Sequence, residues 1–559
     1  MKTYDTDVVV AGGGPVGLML ACELRLGGVS VVVLERLTEV DPTIKAGALN
    51  TPSVEALYRR GMLPALKEAQ DQTMERMAAF MRQRAAGGAP ARPPGAGAGP
   101  GAQPGGAPRP TPGAGPGAGP GTAPDGDAPR MPPRFAGHFA GIMLSAARLD
   151  ADDPDFTGHG PADAVGLVAQ QQLELILAER AAELGVELRR GVELTGFTAD
   201  DDGVTVTTGG DPVRARWLVG CDGGRSMVRK LAGFEFPGTE PEITAYQAIA
   251  DMEGTETLGL GWQATPTGVY AHGPVPGRIL TVQFSGTPAD RTTPVTPEEL
   301  QESVRHVTGA PVVVKAITSV TRFTDNARQA ATYRLGRVLL AGDAAHVHSP
   351  FGGQGLNLGL GDAMNLGWKL AATVRGDAPE GLLDTYTEER HPIGAWVLDW
   401  TRAQVALMRP DPRARALRQV VNDLIETVAG TTYFVKRISG VWQRYELPGD
   451  HPLTGHSAPD YEFADGSRLA DHLHDGRPLL VDPAGDLLSL AEGYGDRVAT
   501  VTAAFLEERA PAALLVRPDG FVAWAADPGR ADPEALATAL RTWLGEPLAA
   551  AAASSSGHA

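Results

Sequence analysis

The chain has 559 residues, too many for one compact core, and its formal charge of −18 argues against a nucleic-acid partner. Its hydrophobic share of 43 % is that of a folded protein, yet no apolar run reaches the ~20 residues of a bilayer span, and residues 1–11 carry no export signal. Two cysteines, Cys22 and Cys221, are too few for a disulfide framework or a thiolate metal site, so the expectation is a cytoplasmic protein without metal, membrane or nucleic acid.

In chain order, Asp-Val-Val-Val-Ala at 7–11 predicts a strand that leads directly into Gly12-Gly13-Gly14-Pro15-Val16-Gly17, and a helical pattern follows to Leu26. The next apolar run, 29–34, ends in Glu35 and Arg36. A Gly12-x-Gly14-x-x-Gly17 turn between strand and helix, with an acid ~20 residues on, is a dinucleotide fingerprint. Its glycines admit a pyrophosphate to the helix N-terminus, and the acid takes a ribose hydroxyl. Lys45 follows in a loop, either reaching a phosphate or flavin edge or simply solvated, before a helix to Arg60 that Thr51 or Ser53 caps.

From 85 to 134 the chain is almost all Gly, Pro and Ala, with no collagen period and no large apolar residues to offset its ordering entropy. It reads as a disordered insertion, a passive linker. Order resumes at Phe135. Val168-Ala169-Gln170 opens a helix with Leu173, Ile176, Leu177 and Leu184 on one face, and Gln170 in its first turn either meets a flavin edge or caps the helix. After strands at 186–188 and 204–207, residues 217–229 form a second strand-to-turn junction. There Asp222 and Arg225 suit a passing dinucleotide, or a capped turn with a surface arginine. Residues 233–320 alternate strands and turns, among them 268–271 and 279–284, with a helix that Thr296 and Glu299 cap.

The third junction is 338–358, VLLAGDAAHVHSPFGGQGLNL. A strand stops at Gly342-Asp343, and Pro350-Phe351-Gly352-Gly353-Gln354-Gly355-Leu356-Asn357 then opens a helix. The Asp343 carboxylate can accept from a sugar hydroxyl, and free amides between Gly352 and Asn357 can donate to a phosphate or to ring atoms.

The three motifs, in this order over residues 5–405, resemble the class A FAD-dependent aromatic hydroxylases, the p-hydroxybenzoate and phenol hydroxylase superfamily. The resemblance implies an α/β fold: a Rossmann-like FAD-binding domain at 1–80, 160–230 and 320–405, and a β-rich substrate domain at 135–159 and 231–319. It assigns FAD to Gly12, Gly14, Pro15, Val16, Gly17, Glu35, Arg36, Lys45, Gln170, Asp343, Gly355, Leu356 and Asn357. Asp222 and Arg225 also meet the NADPH or NADH co-substrate. Lys45 stands where members place an arginine, so the charge is kept and the planar fork lost. Tyr270, His272 and Phe284 are candidates to line the substrate layer, against ordinary sheet packing.

Residues 406–459 read as a helical linker broken by Pro410 and Pro412, and 549–559 as a disordered Ala/Ser-rich tail. Strands near 479–481, 498–502 and 514–516, then a helix begun at Asp532-Pro533-Glu534 with Leu536, Leu540 and Trp543 on one face, are similar to the thioredoxin-like C-terminal domain of phenol and polyketide hydroxylases at 460–548. It holds no cysteine, which excludes thiol redox chemistry there. LLVRPDGFVAW and residues 135–142 resemble the polyketide-tailoring subgroup.

The resemblance implies that NAD(P)H reduces FAD, O₂ adds at flavin C4a, and the hydroperoxide hydroxylates a polycyclic aromatic polyketide in antibiotic biosynthesis. Pro350, Gly352 and Gly353 line the peroxide environment, and no base is assigned. The alternatives are Baeyer–Villiger oxygenation or oxidative rearrangement of a similar polyketide, and, in another class, a flavin-binding carrier without turnover. Partners are the aromatic substrate and O₂, in a monomer or homodimer.

Overall fold

The computed structural model describes residues 4–86, 135–288 and 293–548. The Gly/Pro/Ala-rich stretch from 87 and the tail from 549 lie outside the described residues.

Thr6–Ala11 lies inside the largest sheet between Val31–Glu35 and Val213–Gly220; Glu187–Arg190 flanks the first and Val338–Leu340 the second, and all five run parallel. Parallel strands are covered on both faces, which is why 7–11 and 31–34 read as unbroken apolar runs; Val8, Val9 and Val10 are fully buried. Helix Pro15–Leu26 packs between Gln354–Arg375 and Gln170–Glu183. Ala11 pairs across to Gly220, and Gly220 to Leu340, so the three glycine-rich junctions leave the sheet side by side at the carboxyl ends of neighbouring strands.

A second, antiparallel sheet runs in the order Gly261–Ala264, Gly268–His272, Arg278–Gln283, Thr244–Glu253 and Val313–Phe323. Side chains alternate between its faces. Tyr246, Ala248, Tyr270 and Ile279 pack on helix Pro297–Thr308, which Thr296 caps as the sequence predicts, whereas the Glu299 carboxylate accepts from Tyr246 and Arg322 instead of closing the cap. Ala245, Val269, Leu280 and Val282 face the opposite way, into a core that includes Phe351. The helices Pro412–Ile425 and Val428–Ser439, read from sequence as a linker, supply Ile425 and Val435 to that same core and so form one of its walls.

The C-terminal sheet has the order Ala499–Val501, Leu479–Val481, Ala513–Val516 and Val522–Ala526, the first pair parallel and the others antiparallel. With helix Pro533–Leu544, whose Leu536, Leu540 and Trp543 are buried, this is the thioredoxin-like arrangement. Its closing hairpin is the dock. Arg517 donates from Nη1 and Nη2 to Glu389 at 2.9 and 2.7 Å and also pairs with Asp519, while Lys369 Nζ lies 3.0 Å from Glu389. A second bolt is Arg60, which donates to both oxygens of Glu23 at 2.7 Å and to the carbonyls of Leu473 and Pro518 at 2.7 Å. Burial works against ionisation of Glu389, but the charges of Arg517 and Lys369 reverse it and hold the carboxyl at about 2.

Breaking a buried ion pair from one side costs about 3–5 kcal/mol, because the remaining charge stays buried and unpaired. Arg517→Ala is therefore expected to lower the unfolding free energy measured in urea by that order; a loss below about 1 kcal/mol would contradict the docking role. The wild-type contribution is complete above the exposed value of Glu389, 4.5, and fades as pH falls toward 2, so the gap between wild type and variant narrows over that window.

Candidate active site

The turn after Val338–Leu340 is organised by a carboxylate that the sequence reading did not single out. Asp362, fully buried in helix Gln354–Arg375, accepts on Oδ2 from the Gly342 amide at 3.0 Å and from His346 Nε2 at 2.7 Å. Its Oδ1 accepts from Arg390 Nε at 2.8 Å. Arg390 in turn donates to the Leu358 carbonyl at 2.9 Å and to the Tyr445 hydroxyl at 3.3 Å. Burial opposes the charge on Asp362, but His346 and Arg390 outweigh it and keep the carboxyl below its usual range. The network fixes Gly342 at φ +62, where a Cβ would press on Val16, and so sets Asp343 on the open rim of the turn.

Helix Gln354–Arg375 starts at Gly353, φ +65, with no side-chain cap. Asn357 accepts on Oδ1 from the Asn50 amide at 2.9 Å and donates from Nδ2 to the Gly353 carbonyl at 2.7 Å. Asn50, rather than Thr51 or Ser53, caps helix Thr51–Tyr58 by accepting from the Ser53 amide at 3.1 Å, and Pro52 occupies the first turn. The loop before it is tied down along its length. The Ile44 amide donates to Ser319 Oγ at 2.8 Å, Thr321 Oγ1 donates to the Ile44 carbonyl at 3.2 Å, and the Gln170 amide donates to the Ala46 carbonyl at 3.0 Å. Lys45 lies in this loop with its ammonium 2.8 Å from Asp41, half exposed.

The N-terminal glycines divide their tasks. A Cβ on Gly12, at φ +108, would meet the Cys221 carbonyl, and one on Gly17 would meet the Gly12 carbonyl, so both serve close packing. A Cβ on Gly14 would meet nothing within 4 Å, and the helix beginning at Pro15 has no side-chain cap. Glu35 accepts from the Gly13 and Leu37 amides, both at 2.8 Å, and Arg36 is exposed beside it. On the neighbouring junction Ser226 caps helix Met227–Ala232, and Asp222 Oδ2 accepts from its first two amides, Met227 and Val228, at 2.7 and 3.1 Å, with Arg225 exposed on the turn.

These residues fit an FAD. Gly14 and Gly353 leave open space at two uncapped helix N-termini, which favour phosphate and electron-rich groups. Two buried polar atoms, Asp222 Oδ1 and His348 Nε2, have no partner among the described residues. His348, which the sequence reading passed over, stands within contact range of a Cβ on Gly355, with Asp343 just beyond. Burial pushes its imidazole below the ordinary value. The structure thus brings Gly12–Gly17, Glu35, Asp222, Asp343 and Gly353–Asn357 to one edge of the parallel sheet, with Lys45 and Gln170 on the strapped loop and the helix beside it.

The substrate expectations need correction. Tyr270 faces helix Pro297–Thr308, its hydroxyl accepting from the Gly259 amide at 3.2 Å, and His272, two residues on, shares that face. Both point away from Phe351. Phe284 is on the Phe351 side, beneath Arg409. The aromatic rings gathered beside the turn are instead Phe351 itself, with Trp262 and Phe323 edge-on at ring separations of 6.2 and 6.0 Å. Above them, the hairpin of Phe135–Phe139 and Ile142–Ser145 has its tip at Ala140, φ +51, a conformation that costs about 1–3 kcal/mol. Gln404, fully buried, holds it by accepting from the Ala140 amide at 3.0 Å while donating to the Phe351 carbonyl at 3.2 Å. Pro350, Gly352 and Gly353 make the turn on either side of Phe351.

With this geometry established, comparison with known proteins identifies the class. An FAD binding domain model matches residues 5–401, and the C-terminal model of aromatic-ring hydroxylases matches 451–547. The chain belongs to the FAD-dependent aromatic-ring hydroxylase family. It is 39 % identical over 570 residues to a 12-dehydrotetracycline 5-monooxygenase/anhydrotetracycline 6-monooxygenase of Streptomyces rimosus, covering 97 % of this chain and 99 % of that one. It is 39 % identical to a rifampicin monooxygenase of Streptomyces venezuelae, covering 96 % and 98 %. A crystal structure of an aromatic hydroxylase from angucycline biosynthesis superposes with a TM-score of 0.77 at 34 % identity, covering 97 % of this chain and 100 % of the other. The protein is a flavoprotein monooxygenase that binds FAD and uses NAD(P)H.

The two glycines of the first turn give a paired test. Gly14→Val is expected to fold but to retain at least about 10-fold less flavin, read as the absorbance ratio of flavin to protein. Gly12→Val is expected to lose the fold, because its side chain meets Cys221 backbone; full flavin content in Gly14→Val would remove that position from the site.

Proposed function

We propose that this monooxygenase hydroxylates a multi-ring aromatic substrate of the polyketide kind, in the cytoplasm. The observation that carries the reading is the layer opposite the cofactor turn. Phe351, Trp262, Phe323, Phe139 and Trp400 belong to one aromatic-rich apolar cluster between the antiparallel sheet and the helices, with Val269, Leu280 and Val282 on its sheet side. Such a surface takes fused rings by area rather than by anchoring a carboxylate. The relatives above are named for 12-dehydrotetracycline, anhydrotetracycline and rifampicin, which supports a large substrate here.

FAD, when bound and reduced by NAD(P)H, supplies the activation of O₂ and the transfer of one oxygen atom. The chain's own residues bind, orient and exclude water. Asp343 and Glu35 accept from cofactor hydroxyls, and the amides at Gly14 and Gly353 donate to its phosphates and polar ring edge. Asp222 and Arg225 would serve the nicotinamide co-substrate, and Lys45, paired with Asp41, supplies a cation on the loop beside the cofactor turn. Pro350, Gly352 and Gly353 form a side-chain-poor turn against which a flat substrate can lie close to the reacting atoms, and Phe351 seals that turn from water.

The test is the stimulation of NADPH oxidation by a panel running from phenol and p-hydroxybenzoate to three- and four-ring hydroxyquinones, with products read by mass spectrometry. The multi-ring members are expected to exceed the single-ring acids in kcat/KM by about 10-fold or more. A reversed order would overturn the polyketide reading and leave the hydroxylase standing.

A further inference from the structure

The aromatic cluster contains one polar island, which the reaction as described does not use. His138 is on the hairpin that roofs the cluster, with its ring 4.6 Å from that of Trp262. Its Nδ1 accepts from the Gly141 amide at 3.3 Å, which places the ring proton on Nε2. Among the described residues nothing accepts from that N–H, on a half-buried ring. Arg278 stands two residues before Leu280 on the same strand, hence on the face that carries Phe351, and pairs with Ile249 across the sheet. No carboxylate opposes Arg278 among the described residues. Arg418 completes the group from helix Pro412–Ile425, but its Nη1 is spent on the Ala140 carbonyl at 2.6 Å.

A partly buried guanidinium without a counter-anion is a ready site for an anionic ligand atom. We propose that the Nε2–H of His138 and the guanidinium of Arg278 form a recognition subsite for an acidic oxygen of the aromatic substrate, bound as a phenolate or an enolised β-diketone. The inference rests on the aromatic hydroxylase reading and names the substituent that reading leaves open. His138 acts as a neutral donor: burial, reinforced by the charges of Arg278 and Arg418, pushes its imidazole down to about 4. The charge comes from Arg278. On binding, the O–H bond of the phenol breaks and its proton passes to bulk water, so no side chain has to serve as base and the ion pair is neutral overall. An ionised oxygen enriches the ring carbons ortho and para to it, where an electrophilic oxygen is accepted.

Gln404 is the positioning residue of this subsite. It ties the Ala140 tip, two residues from His138, to Phe351 and so fixes the distance between the subsite and the cofactor turn.

The experiment uses the full chain loaded with oxidised FAD, without NADPH, and titrates bound 2-hydroxyanthraquinone, whose phenolate absorbs to the red of its phenol. On the wild type the ligand's phenol is expected to ionise at least one pH unit below its value in water, a 10-fold shift in the equilibrium. Arg278→Gln should abolish the shift, Arg278→Lys should restore most of it, and His138→Phe should weaken binding about 10-fold. An unshifted phenol on the wild type, no binding at all, or a shift that survives in Arg278→Gln would each overturn the subsite. Flavin content and melting temperature of each variant certify its fold, and the Lys variant carries the test should the Gln variant fail to fold. Ionisation on the protein without any oxygenated product on adding NADPH would sink the hydroxylase reading and leave the subsite intact.

Discussion

A single buried carboxylate, Asp362, sets the geometry on which the site depends. It lies inside the helix that starts at the cofactor turn, yet it bonds backward to the Gly342 amide and His346, before that turn, and outward to Arg390 on the next long helix. The strand end, the turn carrying Asp343 and the helix N-terminus are thereby one rigid piece. An isolated carboxylate in such a place would be expensive; here His346, Arg390 and a backbone amide satisfy it, so its charge is held and its removal would leave Arg390 buried without its carboxylate partner.

The same economy of buried charge joins the rest of the molecule to that piece. Glu389, the neighbour of Arg390, takes Arg517 from the C-terminal domain, and Glu23 on the first helix takes Arg60, which also reaches Pro518. The thioredoxin-like domain carries no cysteine and its closing turn is consumed in this docking. Its part is to brace the helices that present the cofactor turn. Gln404, on the same long helix as Glu389 and Arg390, passes the constraint to the hairpin, so the turn around Phe351 and the hairpin tip are held to one another through one side chain.

What could be read from the sequence was what is local. Three strand-to-glycine junctions, Glu35 and Asp343 sit within a few residues of the backbone features they serve, and the structure sets all three at adjoining strand ends. The faces of Leu536, Leu540 and Trp543 followed from spacing alone. What could not be read is what depends on pairing between distant elements. Period-two alternation marks the strand around Tyr270 but not which face meets the cofactor, and the helix behind it claimed Tyr270 and His272. His138, Arg278, Gln404 and Arg418 come from four separate elements and share no local motif. A signal did exist for Asp362: a charged residue amid the apolar positions of a helix, with Glu389 and Arg390 in the next. For Asn50, the proline at 52 marked the first turn of the helix but not the cap: it stands at the second helical position, one further in than the usual first, so the cap falls at 50 rather than 51.

These constraints describe a protein built to bring a flat aromatic ring, O₂ and a reduced flavin together away from water. The most direct measurement is turnover of a multi-ring hydroxyquinone under ¹⁸O₂ with NADPH, followed by product mass spectrometry. The account predicts one ¹⁸O atom in each product molecule and one NADPH consumed for it. Product formed without label, or label only from H₂¹⁸O, would contradict it.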